Sequence, residues 1–508
     1  MTSPALRRGS QIDPQHGHGE MPQPPRTDQQ KPTPMTPEPG SFRDPGNQVF
    51  YLDEQVFRTL DAESAAHWHQ LRQTTFFQAL VKREAVVATE TEDRPGVREQ
   101  ALSGRWTELL RHERIPFVSY PYEWTFNMLK DAALLQLGIL EDALANGWTL
   151  KDGSAYNVQW RGQRPVFIDV SSFEPYRPGE SWIGYRQFCM MFLIPLLLKA
   201  HRDIDTAALC RSDLEGIDPE EALKFISVRD IFRRGVLSHI YLHARLQARA
   251  RRAEAAVSSA PPKWAIRQTA EMTLRMVQSL GRLVSKLERR DARTSWSAYE
   301  ETHSYDDGSF SQKKDFVERH VRGRRWPLVY DLGCNTGTFS RLCSEHADCI
   351  VAIDQDELAV DTLYRRIKTP ASGNIIPLVM PLSNVSPDQG WRGRERKSFE
   401  HRARPDLILC LALIHHMVVS ANIPLRNFLD WIRAFGASVI LEFVGPDDEM
   451  TLQLLKNRRN VHSGYTQEAF ESVARSMFDI LDSAPLKGGR RRIYLLQPKA
   501  QEPTEASA

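Results

Sequence analysis

The sequence predicts an α/β fold: an open, seven-stranded sheet over residues 300–498, preceded by an α+β region over residues 48–250. Three observations carry this. First, short apolar runs alternate with helical stretches (PLVYDL, CIVAID, NIIPLVM, DLILCLAL, SVILEF, FDILDS, RIYLLQ), the rhythm of an open sheet wound with helices. Second, the first run leads into a glycine turn, DLGCNTG, Asp331–Gly337. Third, the next run ends in a second acid, Asp354. Ligands on such sheets gather at the carboxyl ends of the strands.

The elements follow in chain order. Residues 1–47 are rich in Pro, Gln, His, Gly and Thr, hold too little apolar mass to offset ordering entropy, and are expected to be a disordered tail. His16, His18 and His201 do not form a metal-ligand cluster, and no metal site is expected. From 48 to 250 the chain reads as mixed and globular. A strand pair is expected at QVFYLDEQVFRTL, a helix at SAAHWHQLRQTTFFQALVKREA, and a second helix from Trp124 to a C-cap at Gly147. The most apolar stretch, Phe188–Ala200, is shorter than the roughly 20 residues that span a bilayer and contains Pro195, so a buried helix is expected and no membrane span. Residues 251–299 are alanine-rich, basic and broken by Pro261-Pro262, which suits a helical linker; a nucleic-acid surface is the other reading of such charge. Residues 499–508 form a second loose tail.

Bulk numbers set the frame. At 508 residues the chain exceeds one core, so two domains plus tails are expected. A net charge of +2 gives no global case for nucleic acid or an anionic membrane. Six cysteines without a C-x-x-C pair, and no apolar leader, point to a cytoplasmic, reducing setting.

The glycine turn admits three ligands. A Walker A loop is excluded, because no Gly-Lys-Ser/Thr follows. A dinucleotide fingerprint wants G-x-G-x-x-G, whereas here Gly333 and Gly337 flank Asn335. Asp331 argues against both, since a carboxylate beside the turn repels a pyrophosphate. The same carboxylate suits S-adenosylmethionine, which carries an ammonium and a sulfonium and no phosphate. Asp354, at the next strand tip, suits the two ribose hydroxyls.

D-x-G-x-[GN]-x-G followed by strand, helix and an acid at the next strand tip resembles the class I S-adenosylmethionine-dependent methyltransferases over residues 300–498. The segments DLGCNTGTFSRL, VAIDQD, LALIHH and ILEFVGPDDEM look most like the methyltransferases grouped with the nodulation protein NoeA. The resemblance implies a Rossmann-like sheet, with Asp331, Gly333, Asn335 and Gly337 around the methionine part of the cofactor and Asp354 on the ribose. It also implies Gln355 or Asp356 near the adenine. One departure is Pro381, which stands where many of these enzymes place an acid for the adenine amino group; Asn384 or a backbone carbonyl is the expected substitute.

Methyl transfer needs alignment and, for a hydroxyl acceptor, removal of a proton. His415 and His416, at the fourth strand tip, are the candidate general bases; packing that closes the cofactor pocket is the other reading of the pair. Glu442 is a second candidate. The connection SNVSPDQGWRGRERKSFEHRARPD carries Trp391, Arg392, Arg394, Glu395, Arg396, Arg402 and Arg404, either to grip an acceptor or as a solvated basic loop.

The N-terminal region holds a second constellation. Asp152 and Asn157 have the D-x-x-x-x-N spacing of a kinase catalytic loop, and a hairpin then ends in Asp169. This resembles the C-lobe of aminoglycoside-phosphotransferase-like kinases. No glycine-rich loop or V-A-I-K lysine precedes it, and Lys151 stands before Asp152; polar residues that merely make turns are the plainer reading. The expected function is therefore S-adenosylmethionine-dependent methyl transfer to a small-molecule or carbohydrate acceptor, recognised by the N-terminal domain. The competing expectation is a kinase-like nucleotide-binding or phosphotransferase protein with a degenerate methyltransferase domain.

Overall fold

The computed structural model describes residues 34–255, 269–289, 307–368, 373–455, 464–486 and 488–500. His16, His18, Pro261-Pro262, most of the expected tails and parts of the expected linker lie outside the described residues.

An antiparallel sheet opens the chain, built from β1 (Thr36–Pro37), β2 (Asn47–Leu52), β3 (Gln55–Leu60), β4 (Thr89–Thr91) and β5 (Glu108–His112) in the order β1-β2-β3-β5-β4. Residues 34–47, expected in the tail, belong to this sheet in part. β1 pairs with β2, Val49 N donates to Ser41 Oγ at 2.9 Å, and Arg43 meets Glu395 at 2.6 Å. Their polar composition hid partners that lie far along the chain. The single helix expected after β3 is two, Ala62–Leu71 and Thr75–Lys82, because Thr74 leaves the helical region and its hydroxyl caps Phe77 N.

The helix Phe126–Ala145 starts at its cap Thr125 and stops before Gly147, whose φ of 77° favours a residue without a Cβ. It organises the N-terminal region. Around it lie two hairpin-like pairs, β6 (Trp148–Leu150) with β9 (Phe173–Pro175) and β7 (Val158–Arg161) with β8 (Arg164–Phe167). The apolar stretch after Phe188 is buried helix, continued by Ile194–Arg202 with Pro195 in its first turn. The helix Ala270–Ser285, expected in a linker, is part of this core. It buries Val277, Leu280, Leu283 and Val284 and packs on Phe126–Ala145, with Gln278 Nε2 donating to Glu141 Oε1 at 2.8 Å. No helix among the described residues is long and apolar enough to cross a membrane.

The second sheet comprises β10 (Trp326–Leu332), β11 (Ala347–Asp354), β12 (Ile375–Val379), β13 (Leu407–Cys410), β14 (Ser438–Val444), β15 (Phe478–Pro485) and β16 (Arg491–Pro498). Its order is β12-β11-β10-β13-β14-β16-β15, with the first five parallel and β16 antiparallel to both neighbours. The parallel strands are buried on both faces, which explains their near-continuous apolar sequence. Strand order reverses at β10, so the tips of β10, β11 and β13 open a crevice there.

One apolar cluster runs through both regions, taking in Leu137, Phe192 and Val277 together with Tyr330, Val351 and Ile408. Aromatic edges cross the boundary: Phe117 meets Tyr330 at 5.9 Å between ring centroids, and Trp160 meets Tyr364 at 5.6 Å.

Candidate active site

β10 delivers Asp331 to the crevice, and the chain then turns through Gly333 (φ 79°), Asn335 (φ 50°) and Gly337 (φ 79°). Gly333 N and Cys334 N both donate to Ile353 O, at 2.8 and 2.9 Å, which fastens the turn to β11. A Cβ on Gly337 would stand 2.3 Å from Leu363, so this position permits the close approach of turn and helix and lies behind the cavity wall. Asp331 is 2% exposed and accepts from Ser340 Oγ at 2.5 Å. Burial pushes its carboxyl up to about 6; Asp354 adds to the rise, while Ser340 and Lys313 oppose it.

Asp354 ends β11. Its Oδ2 accepts from Asn335 N at 2.9 Å and its Oδ1 from Asp356 N at 3.0 Å, so two backbone donors hold the carboxylate, whose pKa burial raises. Asp356 Oδ1 caps the helix Glu357–Ile367 through Leu358 N at 2.8 Å and Ala359 N at 3.3 Å. That engages the side chain in the helix start, leaving Gln355 as the exposed group on this wall. Asn384 is not on the cleft: Arg211 holds it on the far side, with Nη2 at 3.2 Å from its Oδ1 and Nη1 at 2.9 Å from its carbonyl. Leu382 and Ser383 line the cleft instead.

Beyond β13 the backbone passes through Ala412 at φ 50°, an uncommon conformation for a residue with a Cβ. This turn sets His415 and His416 on the wall with ring centroids 4.2 Å apart. His415 is 2% exposed, and its Nδ1 has no hydrogen-bond partner among the described residues. Burial lowers its pKa well below the usual histidine value, with His416, Arg491 and Lys313 adding to the effect, so the ring is neutral. Glu442, offered by the sequence as a second base, is fully buried between Lys313 Nζ at 2.7 Å and Arg491 Nη1 at 3.3 Å. Lys313 and Arg491 hold its pKa below the usual carboxylate range against the opposing effect of burial, so its task is to fix those two cations. The whole cavity measures about 780 Å³, and Phe310 and Met450 supply part of its apolar wall.

Among known proteins, the nodulation protein NoeA of Rhizobium meliloti (strain 1021) is 34% identical over 460 residues, covering 90% of this chain and 95% of that one. The chain belongs to the NoeA family. No protein-family model matches it. Two solved structures overlap the chain in part. The N-methyltransferase NodS from Bradyrhizobium japonicum WM9, in complex with S-adenosyl-L-homocysteine, covers 40% of this chain and 95% of its own at 12% identity, with a TM-score of 0.29. Magnesium protoporphyrin IX methyltransferase (ChlM) from Synechocystis PCC 6803, with bound SAM, covers 41% and 87% at 14% identity, with a TM-score of 0.27.

In this NoeA-family chain the arginine-rich connection between β12 and β13 joins the two regions. Arg402 forms a two-pronged pair with Glu123, at 2.6 and 2.8 Å, with both side chains 1% exposed. Glu395 pairs with Arg43, Arg396 lies 4.1 Å over the Tyr156 ring, and Arg404 donates to Ala434 O at 2.7 Å. Trp391 is exposed. None of these residues lines the cleft. The kinase-like trio does come together: Asn157 Nδ2 donates to Asp169 Oδ2 at 3.3 Å, and burial together with Asp169 pushes Asp152 up to about 6. Arg58 Nη1, however, sits 2.8 Å from Asp169 Oδ1, and Lys151 pairs with Asp44. No group of three or more His, Cys, Asp or Glu among the described residues could hold a metal.

Lys313, Arg491, Phe310 and Met450 were not foreseen. Lys313 lies on a helix before the motif and Arg491 on the last strand, and no spacing links them to it. Only the topology does.

Proposed function

We propose that this NoeA-family protein transfers a methyl group from S-adenosylmethionine to a small-molecule or carbohydrate acceptor, with its N-terminal region contributing to acceptor recognition. The observation that carries the reading is the pair of carboxylates, buried Asp331 and half-buried Asp354, on adjacent tips of a seven-stranded sheet that we read as Rossmann-like, with the glycine turn fastened between them. The donor set fits the cofactor. Asp331 would hold its ammonium and Asp354 its ribose hydroxyls, while Gln355, Leu382 and Ser383, which line the same cleft, would flank the base. Two buried polar atoms on the wall, Asn335 Oδ1 and His415 Nδ1, have no partner among the described residues, as expected of groups that await a ligand.

The bound cofactor supplies an electrophilic methyl group on a sulfonium. The chain supplies alignment. His415 is kept neutral by burial and by the nearby His416, Arg491 and Lys313, so its Nδ1 lone pair can accept a hydrogen bond that orients an acceptor hydroxyl or amine, while the same surroundings oppose full protonation of the ring. Phe310, Met417 and Met450 add apolar lining to the cleft.

Phosphoryl transfer by the N-terminal region is disfavoured on one point. A guanidinium occupies the Asp169 carboxylate that a metal ion would need. We read that region as a kinase-like scaffold without phosphate transfer. Calorimetry tests both readings. S-adenosylmethionine should bind, Asp354→Ala should weaken it by about tenfold or more, equal to about 1.4 kcal/mol, and Mg-ATP should give no heat. A protein indifferent to S-adenosylmethionine that takes up Mg-ATP, with loss in Asp169→Ala, would overturn the reading.

A further inference from the structure

Residues 228–249, away from the cofactor cleft, combine two kinds of side chain that a folded surface seldom shows together. The segment holds five arginines and one acid, Asp230. Asp230 is turned inward. It is 2% exposed, accepts from Ser227 N and Oγ at 2.8 and 2.7 Å, and pairs with Arg202 and Arg233 at 3.3 and 3.0 Å. That fastening holds the short turn Val228–Phe232, which packs against Leu237–Leu242, and leaves Val228, Arg229 and Phe232 outside. Val228 is 76% exposed and Phe232 86%.

The helical turns Leu237–Leu242 and His243–Ala255 continue the pattern. They bury Ile240 and Ala244 and turn Leu237, Leu242 and Leu246 to solvent. Leu242 and Leu246 stack one helical turn apart, with Arg245 and Arg249 stacked beside them on the same exposed face. Arg229, Arg234, Arg245 and Arg249 are exposed and have no counter-ion among the described residues. Single exposed apolar side chains are ordinary, but five in one short segment mark an interaction surface.

Charge and shape choose among the partners. A second copy of this chain would bring the arginines against their own images, and no exposed acid lies in the segment to pair with them. A nucleic acid answers the charge but not the aliphatic side chains, which neither stack on bases nor hydrogen-bond to them. Val228 and Phe232 stand too far out to line a groove for a peptide. An anionic bilayer meets both features at once, because its phosphates pair with guanidiniums while the acyl boundary takes the apolar side chains.

We propose that residues 228–249 dock the protein on an anionic phospholipid bilayer. Val228, Phe232, Leu242 and Leu246 enter the headgroup region, and the four exposed arginines pair with lipid phosphates. The contact is peripheral and independent of the cofactor assignment. The test floats the full chain with vesicles of phosphatidylcholine alone and of phosphatidylcholine mixed with about one-third phosphatidylglycerol. The chain should rise with the mixed vesicles only, and about 0.5 M salt should weaken the binding. Arg229→Gln and Arg234→Gln should each lower affinity by about fivefold, and Phe232→Ser by about tenfold. All three positions are exposed, so the melting temperature should match that of the parent chain. S-adenosylmethionine titrations of the same samples report the cleft separately. Binding to neither vesicle, equal binding to both, or undiminished binding by all three variants would each overturn the proposal. An oligonucleotide bound without vesicle binding would reassign the face to nucleic acid. A dimer that Phe232→Ser dissolves, again without vesicle binding, would reassign it to a second copy.

Discussion

Asp331 carries a pKa of about 6 against an ordinary 3.8, and the sign of its effect differs between the free and the bound protein. In the free protein the folded state keeps a proton that the unfolded chain has released. This group therefore contributes stability below its unfolded pKa and loses that contribution as pH rises through about 6. A cationic ligand needs the ionised form. Affinity for S-adenosylmethionine should be flat above about pH 6 and should fall by up to about tenfold per pH unit below it, while Asp331→Asn should bind weakly with no such slope. A calorimetric series from about pH 5 to pH 8 measures this; a wild-type affinity that ignores pH would count against an ammonium at Asp331. Asp331, Gly333, Asn335 and Asp354 were legible in the sequence because one turn and one strand tip position them locally. Asn384 lies off the cleft because Arg211, 173 positions earlier and outside any local signal, holds it on the far side.

At the scale of elements, the parallel strands were legible because burial on both faces leaves unbroken apolar runs, and the glycine turn marked the end of the first. The helix Ala270–Ser285 stands in basic, alanine-rich surroundings that suit a linker, although Thr273, Val277, Leu280 and Val284 stand at helical spacing. Composition over a wide window outweighed periodicity over a narrow one. The turn-to-helix step after β10 has little slack. Gly337→Val would force a β-branched residue to φ 79° and drive its Cβ against Leu363, and should cost about 2–4 kcal/mol of stability. Urea unfolding should show this as a lower midpoint with an unchanged slope. A stability loss within a few tenths of a kcal/mol would mean that the helix relaxes away.

For the molecule as a whole, Arg402 and Glu123 form a buried ion pair where the halves meet. The guanidinium lies 4.5 Å from the Tyr120 ring centroid and 5.1 Å from that of Phe117, so the pair is enclosed by aromatic surface as well as by its own hydrogen bonds. Arg402→Met would leave Glu123 charged and buried, and should cost about 3–5 kcal/mol. Glu123→Gln in the same chain should recover part of that loss, and the double-mutant cycle measures the coupling. Additive single effects would show that the pair does not join the halves energetically. The sequence locates the arginines and leaves them either to grip an acceptor or to form a solvated basic loop, because nothing local to the loop names a carboxylate 279 positions away.

The continuous apolar cluster has a practical consequence. Shortening the chain to residues 307–500 would bare Tyr330 and Tyr364 and strand Arg402 without its counter-ion, so the fragment should aggregate instead of refolding. The alignment with NoeA, which spans 90% of this chain, is what heredity would leave if neither half had been free to travel alone.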